Sequence, residues 1–168
     1  MANLNSYRVA VSALIEARAS RVYAILADYR RAHRDILPGD YFRDLRVLRG
    51  GVGAGTTFLL EMRMLGRTRF MRQTVTEPDP GRLLTETDDE TGDSTTFRVE
   101  SGGPFTRVTI ATELKSRGGL RGRLERWITS AVLRRIYSKE LKLLADHCFR
   151  EDEVSAIPAL VRPRSVVA

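Results

Sequence analysis

Apolar and polar residues alternate along most of the chain up to about residue 115, and this period of two predicts β-strands. Glycine, proline and acidic clusters interrupt the alternation and separate the strands. After the first strand, apolar groups with helical spacing predict two short helices, over residues 21–27 with Ser20 as the cap and over residues 30–36. The predicted strands cover residues 7–16, 41–48, 56–65, 68–77, 83–87, 95–100 and 105–114.

One long helix is predicted after the strands, from Leu120 to Phe149. The stretch contains no proline, and at ~1.5 Å per residue it spans about 45 Å, so it needs a broad surface to lie against. The order of elements predicts an α+β fold, in which a curved antiparallel sheet of about seven strands surrounds the long C-terminal helix. Residues 1–150 are expected to form a single domain and residues 151–168 a C-terminal tail.

The turns predict which residues of neighbouring strands lie opposite one another. A two-residue turn at Gly66-Arg67 places one mainly apolar face inward, with the pairs Phe58–Val75, Leu60–Gln73, Met62–Met71 and Met64–Arg69. The next two hairpins continue this face, with the pairs Leu83–Val99, Thr85–Phe97, Phe97–Ile110 and Val99–Val108. Three hairpins thus agree on one inward face, while the acidic segment 86–93 is interpreted as a solvated hairpin tip.

The apolar stripe of the long helix changes direction near its middle. At 100° per residue, Leu124, Trp127, Ile128 and Ala131 share one side, and the apolar residues of the second half lie about a third of a turn away. We therefore predict that the first half covers a cavity and that the second half packs against a different surface. Either the helix bends between its two halves, or a partner subunit in a homodimer supplies that surface.

The charge distribution narrows the classes of partner. The chain carries a net charge of +7, and residues 120–150 contain eight Arg or Lys and three Asp or Glu, a net of +5. A basic helix can make a weak contact with an anionic membrane. Nucleic acid is not expected, since zinc-finger spacing, aromatic–basic runs and a clear helix-turn-helix are lacking. Neither a signal region nor a membrane-spanning run is found, which predicts a cytoplasmic protein.

Few residues are candidates for chemistry. Cys148 is the only cysteine and the two histidines are distant in sequence, so neither a metal nor a cofactor is expected. Gln73, placed inward, could bind a ligand carbonyl or hydroxyl, or form an internal hydrogen bond. Arg69 could meet a carboxylate or phosphate at a pocket mouth, or extend into solvent. His33, near the short helices, could act as a general base, although a structural histidine is the more frequent case.

Several local motifs follow the predicted turns and element ends. They are IEARASRVYAILADY (residues 15–29), GGVGAGTTF (50–58), VTEPDPGRLL (75–84), TRVTIATEL (106–114) and KELKLLADH (139–147). Together with the order of elements, they resemble the START/Bet v 1-like (SRPBCC) superfamily, which has the helix-grip fold, and particularly its polyketide cyclase/dehydrase-like branch. The resemblance covers about residues 6–149. The chain departs from the family pattern in the loop after Asp28, which has His33 instead of a frequent Trp, and in its unusually basic long helix.

The resemblance implies a small hydrophobic ligand of lipid, polyketide or other aromatic or isoprenoid type, held between sheet and helix. Binding or transport is the leading hypothesis. The alternatives are a polyketide cyclase or aromatase-type enzyme, with His33, Gln73 and Arg69 as candidate catalytic residues, and a membrane-peripheral lipid or quinone chaperone. The residues expected to contact the ligand are Phe58, Leu60, Met62, Met64, Arg69, Met71, Gln73, Phe97, Val99, Val108 and Ile110 on the sheet, and Leu124, Trp127, Ile128 and Ala131 on the helix.

Overall fold

The computed structural model describes residues 5–116 and 119–156. The strands are β1 (Asn5–Ile15), β2 (Phe42–Arg49), β3 (Thr57–Met64), β4 (Arg67–Asp79), β5 (Leu83–Asp88), β6 (Ser94–Gly102) and β7 (Phe105–Ser116). The helices are α1 (Ala19–Ala27), α2 (Ala32–Ile36) and α3 (Gly119–Ala156). The strands form one curved antiparallel sheet in the order β1-β7-β6-β5-β4-β3-β2, and α3 lies against it. The predicted α+β helix-grip fold is confirmed.

The two short helices are held by a turn at Asp28. Its Oδ1 accepts hydrogen bonds from the backbone N–H groups of Arg30, at 3.1 Å, and Arg31, at 3.3 Å. The predicted cap at Ser20 is wrong, because α1 already begins at Ala19 and the cap position makes no side-chain hydrogen bond. The turn at Asp28 leads into α2, which carries His33 into the interior.

The hairpin between β3 and β4 turns one residue earlier than predicted. Leu65 and Gly66 both have positive φ, 51° and 74°, as a two-residue type I′ turn requires. The predicted pairs are therefore wrong by two residues, and the observed pairs are Phe58–Gln73, Leu60–Met71, Met62–Arg69 and Met64–Arg67. Because side chains alternate with a period of two, a shift of two residues leaves the same residues facing inward.

The next hairpin is shifted by one residue, and this shift does change a face. Leu84 lies opposite Phe97, and Leu83 lies opposite Arg98, so the predicted pairs Leu83–Val99 and Thr85–Phe97 are wrong. Leu84 is fully buried and Leu83 only half-buried. The last hairpin is as predicted, with the pairs Phe97–Ile110 and Val99–Val108.

The orientation of α3 differs from the prediction. Its inward residues form one continuous face, which at 100° per residue is about 160° wide. The predicted division into a cavity-covering half and a differently packed half is therefore wrong. The first half points its polar side inward and its apolar side outward. The inward face consists of Glu125, Arg126, Thr129, Leu133, Ile136, Tyr137, Glu140, Leu141, Leu144 and Cys148.

The end of α3 reaches into the segment predicted to be a tail. The helix continues to Ala156, several residues beyond the predicted end at Phe149. Residues 157–168, the remainder of the predicted tail, lie outside the described residues. The continuation of the helix is consistent with the absence of proline between Gly119 and Ala156.

Candidate functional site

A cavity of about 550 Å³ lies between the sheet and the inward face of α3. All seven strands and helix α2 contribute to its wall. One side of the cavity is apolar, and its residues come mainly from β2, β3 and α3. This apolar wall comprises Leu37, Phe42, Leu45, Phe58, Leu60, Met62, Met64, Met71, Phe97, Leu133 and Ile136.

The structure places most of the predicted sheet residues on the cavity wall. Eight of the eleven lie there, namely Phe58, Leu60, Met62, Met64, Arg69, Met71, Gln73 and Phe97. The other three, Val99, Val108 and Ile110, are buried in the core beside the cavity and do not line it.

None of the four predicted helix residues lines the cavity. Leu124 and Trp127 are 60% and 70% exposed, Ala131 is exposed and Ile128 is half-buried. The prediction assumed that the apolar side of an amphipathic helix faces the protein. Here the cavity itself is partly polar, so Glu125, Arg126 and Thr129 take the inward positions instead.

A polar wall crosses the cavity from β4 to β5 and α3. Gln73 lies opposite Asp88 and is 8% exposed as a residue, and its side chain makes no hydrogen bond to any described residue. On β5, every second residue points inward and is buried, namely Leu84, Glu86 and Asp88. Glu86 and Asp88 therefore belong to the cavity, and the interpretation of segment 86–93 as a solvated tip is wrong for both.

Tyr29, His33 and Glu86 form a buried cluster at the end of the cavity near α2. The Tyr29 hydroxyl donates to Glu86 Oε1 at 2.6 Å, and the imidazole of His33 stacks on the Tyr29 ring at 4.4 Å. His33 Nδ1 donates to the backbone carbonyl of Leu26 at 2.7 Å. Because a carbonyl only accepts, Nδ1 carries a proton, and in the neutral ring Nε2 has the free lone pair. Nε2 lies 3.5 Å from Glu86 Oε1.

Burial shifts His33 and Glu86 of this cluster toward their neutral forms. Desolvation lowers the pKa of His33 to about 4 and raises the pKa of Glu86 to about 7. Their proximity therefore does not make an ion pair near neutral pH, since His33 is uncharged there. Glu86 is poised between its protonated and ionised forms, so it can give or take a proton at physiological pH.

A second buried carboxyl, Glu140 of α3, lines the cavity opposite the sheet. It is 3% exposed, and its Oε1 has no hydrogen-bond partner among the described residues. Desolvation raises the pKa of Glu140 well above its usual value, and the nearby charge of Glu86 acts in the same direction. The helix also carries Tyr137, whose hydroxyl hydrogen-bonds with Thr112. Sequence patterns give no signal for an inward glutamate on a helix, because charged residues are normally solvated.

The mouth of the cavity is lined by charged residues of both signs. Arg69 Nη2 donates to Asp88 Oδ2 at 3.0 Å, and its side chain is half exposed, so Arg69 both extends to solvent and pairs with a carboxylate. The guanidinium of Arg126 lies 5.1 Å from the centre of the Tyr7 ring. Lys115, Asp93 and Glu125 complete this region of the wall.

The chemistry available in this cavity is that of proton transfer and hydrogen bonding. In the described part of the chain, His, Cys, Asp and Glu side chains form no group that could hold a metal ion. None of the helices described is both long enough and apolar enough to cross a membrane. A ligand in the cavity would meet an apolar wall on one side and Gln73, Glu86 and Glu140 on the other.

Several solved structures share this architecture. The KanY protein (ms6282), solved by NMR, matches with a TM-score of 0.76 and 26% identity over 86% of this chain and 99% of that protein. The Zhui aromatase/cyclase from Streptomyces sp. R1128 matches with a TM-score of 0.74 and 18% identity, over 90% and 99% of the two chains. A START superfamily protein from Mycobacterium smegmatis has a TM-score of 0.59 and 13% identity, over 88% and 98%. The last two likenesses show a shared fold alone.

Sequence comparison identifies the family of the chain. No curated protein matches the chain. The model of the family described as polyketide cyclase / dehydrase and lipid transport matches residues 6–148, which include every strand and both short helices apart from the first residue of β1. The chain therefore belongs to the polyketide cyclase / dehydrase and lipid transport family.

Proposed function

We propose that the protein binds and carries a small, largely apolar ligand in the cavity between the sheet and α3. The observation that supports this most directly is the cavity volume of about 550 Å³, which is in the usual range for small-molecule sites. A carrier also needs a wall that adapts to its cargo, and the unbranched side chains of Met62, Met64 and Met71 provide one.

The polar wall limits the kind of ligand. A pure hydrocarbon would leave the amide of Gln73 and the carboxyl of Glu140 without hydrogen bonds, which costs free energy in a buried site. A polyketide, lipid, or other aromatic or isoprenoid molecule with a few oxygen atoms would satisfy them. We therefore favour a ligand that is apolar along one side and carries oxygen atoms along the other.

Native mass spectrometry of the purified protein, followed by dye displacement, tests this function. We expect a co-purified small molecule or saturable, displaceable dye binding with one site per chain. Met71→Trp should fill part of the cavity and weaken binding about tenfold or more, as a misplaced side chain in a packed site does. Arg72→Trp, on the outward side of the same strand, is the matched control and should bind normally. Absence of saturable binding to a broad hydrophobic panel would contradict the function.

An enzyme of the cyclase or dehydrase type is the second candidate. It is favoured by one specific observation: Glu86, with a pKa near 7, lies within the cavity beside the neutral imidazole of His33. Such a carboxyl could remove a proton from a carbon next to a ketone, and Gln73 or Arg69 could polarise that ketone. The fold shared with an aromatase/cyclase is compatible with this chemistry and does not establish it.

Turnover of an aromatic polyketide mimic distinguishes the enzyme from the carrier. We expect Glu86→Gln to reduce turnover by about 10²-fold or more if Glu86 is the base, with little change in ligand affinity. His33→Ala and Gln73→Ala should then have smaller effects. Unchanged turnover in all three variants would show that these residues are not catalytic.

A membrane-peripheral carrier is the third candidate, and the outward face of α3 favours it. Leu120, Leu124 and Trp127 are exposed there, and a shallow groove beside Trp127 is lined by Arg123 and Arg134. Exposed apolar residues flanked by arginines are typical of helices that bind anionic lipid surfaces. A second copy of the chain covering this face would be the homodimer alternative.

Fluorescence of Trp127, the only tryptophan, reports directly on this face. Membrane contact should shift its emission to the blue with phosphatidylglycerol vesicles, weakly or not at all with phosphatidylcholine vesicles, and less at high salt. Arg123→Gln combined with Arg134→Gln should weaken the vesicle response. Vesicle binding that does not change with salt would count against the membrane role.

The homodimer alternative is tested by analytical ultracentrifugation, in which a dimer would appear as twice the monomer mass.

A further inference from the structure

At the inner end of the cavity, the side chains of Tyr29, His33 and Glu86 are hydrogen-bonded, whereas the carboxyl of Glu140 has an oxygen without a partner among the described residues. The Tyr29 hydroxyl donates to Glu86, and His33 Nδ1 donates to the backbone carbonyl of Leu26. His33 Nε2 presents a lone pair 3.5 Å from Glu86 Oε1, so a proton on Glu86 has an acceptor close by. Tyr29, His33 and Glu86 can therefore satisfy one another without a ligand.

Glu140 has no such arrangement. Its side chain is 3% exposed, lines the cavity and leaves Oε1 unpartnered with respect to the described residues. Among the residues that the structure describes, no lysine or arginine lies on the wall at this end, because the basic wall residues Arg69, Lys115 and Arg126 are at the mouth. A buried carboxyl without a cation is most stable as the neutral acid, and the neutral acid has an O–H that needs an acceptor.

We propose that Glu140 forms a subsite for an uncharged oxygen acceptor of the ligand, a ketone or quinone-type carbonyl, to which the Glu140 carboxyl donates a hydrogen bond. This inference rests on the proposed ligand-binding function and specifies its chemistry. Such a carbonyl fits without moving a proton, since Glu140 donates in the form it already has. An amine cation would require Glu140 to ionise and would lose its own hydration, so it is the less favourable occupant.

The groups around Glu140 set the pH dependence of this subsite. Glu86 on β5, Tyr29 in the turn after α1 and Tyr137 on the same helix interact electrostatically with Glu140. His33 of α2 lines the same cavity. Tyr29 and Tyr137 have raised pKa values and His33 a lowered one, so all three remain neutral near pH 7. Ionisation of Glu86 raises the pKa of Glu140 further. The raised pKa of Glu140 therefore keeps the protonated, hydrogen-bond-donating form to higher pH than in an exposed glutamate.

Three probes of the same shape test the subsite: 9-fluorenone, which has a carbonyl, fluorene, which has none, and 9-aminofluorene, which carries an amine. We expect the wild-type protein to bind fluorenone about tenfold more tightly than fluorene, the effect of one hydrogen bond in a dry site. Glu140→Leu should remove this preference and leave fluorene binding intact. Glu140→Gln keeps an N–H donor and should retain most of it.

An independent readout is the carbonyl stretch of bound fluorenone, which a donated hydrogen bond shifts to lower wavenumber. The shift should be present in the wild type and in Glu140→Gln and absent in Glu140→Leu. Equal affinities for fluorene and fluorenone in the wild type would overturn the subsite while leaving the cavity function standing. Preferential binding of aminofluorene that strengthens with rising pH would show a cation site instead. If none of the three probes binds, the proposed function fails and the subsite with it.

Discussion

His33 Nε2 lies 3.5 Å from Glu86 Oε1, and the two residues are nevertheless not an ion pair. Burial lowers the pKa of His33 to about 4 and raises the pKa of Glu86 to about 7, so both neutral forms are favoured over much of the acidic range. The cluster holds a proton at the buried end of the cavity. The protonation state of the cluster must therefore contribute to the stability of the fold.

Glu86→Gln is expected to change how stability depends on pH. The pKa of Glu86 is about 7 when folded and 4.5 in the reference state, so its contribution is fully present below pH 4.5 and is lost as pH rises toward 7. Glutamine does not titrate, so the variant does not lose stability in this way. The free energy of unfolding of the variant, relative to the wild type, should therefore rise by about 3 kcal/mol as pH increases from 4.5 to 7, at ~1.4 kcal/mol per pKa unit.

Urea denaturation at several pH values between 4 and 8 measures this difference. His33 and Glu140 titrate in both proteins and lie close enough to Glu86 to feel its charge, so the measured difference includes this coupling. Gln at position 86 still offers an oxygen to the Tyr29 hydroxyl, which makes it a close structural match. A difference that stays flat from pH 4.5 to 7 would show that Glu86 titrates normally.

Removal of Asp88 should cost more stability than removal of its partner Arg69. Asp88 Oδ1 accepts hydrogen bonds from the backbone N–H groups of Glu90 and Thr91, at 2.9 and 3.2 Å, in addition to the Arg69 contact. Asp88→Ala should lower the free energy of unfolding by about 2 kcal/mol, because two turn donors lose their acceptor. Arg69→Ala should cost less than about 1 kcal/mol, since this guanidinium is half exposed.

Thermal and urea unfolding of both variants, with Asp88→Asn as the control, separates charge from geometry. The asparagine side chain would keep an oxygen for the two backbone donors and lose only the negative charge. The Asp88→Asn change should therefore be less damaging than Asp88→Ala. Equal losses for Asp88→Ala and Arg69→Ala would mean that the ion pair, and not the turn, carries the stability.

The sheet was predictable because its inward residues repeat with a period of two. Phe58, Leu60 and Met62 keep their face even though the predicted register was wrong, since the error was a shift of two. The turn was misplaced because Leu65 adopts a positive φ, a conformation that glycine adopts far more readily than leucine. A one-residue error between β5 and β6 had a larger consequence, because it hid the inward alternation of Leu84, Glu86 and Asp88.

The polar wall was not predictable from residue types alone. Glu86 and Glu140 are charged residues that normally lie in solvent, and only a cavity gives them a reason to be buried. The same effect inverted the prediction for α3. A helix over a solid core turns its apolar side inward, whereas a helix over a partly polar cavity can present Glu125 and Thr129 to it.

Leu65→Asn should stabilise the β3–β4 hairpin. Leu65 has φ 51° at the first turn position, where asparagine followed by glycine is the preferred pair. We expect a gain of about 0.5 kcal/mol in the free energy of unfolding, measured by urea denaturation. Leu65→Val should destabilise instead, because a branched side chain tolerates positive φ poorly. A stabilising valine would contradict the observed turn.

The orientation of α3 can be tested with two leucines at opposite sides of the helix. Leu144 is fully buried, and Leu124 is 60% exposed although the sequence pattern placed it over the cavity. Leu144→Ala should lower the free energy of unfolding by about 2–5 kcal/mol, the range for a truncated core leucine. Leu124→Ala should change it by less than about 0.5 kcal/mol, since little apolar area leaves the core.

Both leucine variants should be measured at several protein concentrations, because a dimer covering the outward face would make Leu124→Ala costly only where the dimer forms. Loss of stability at every concentration would place Leu124 in the monomer core. The inward face of α3 would then be the face predicted from the sequence, which contains Leu124. A negligible effect at every concentration leaves Leu124 free in the isolated protein. The exposed side of α3 would then be available to a lipid surface, where burial of Leu124 and Trp127 lowers the free energy of binding.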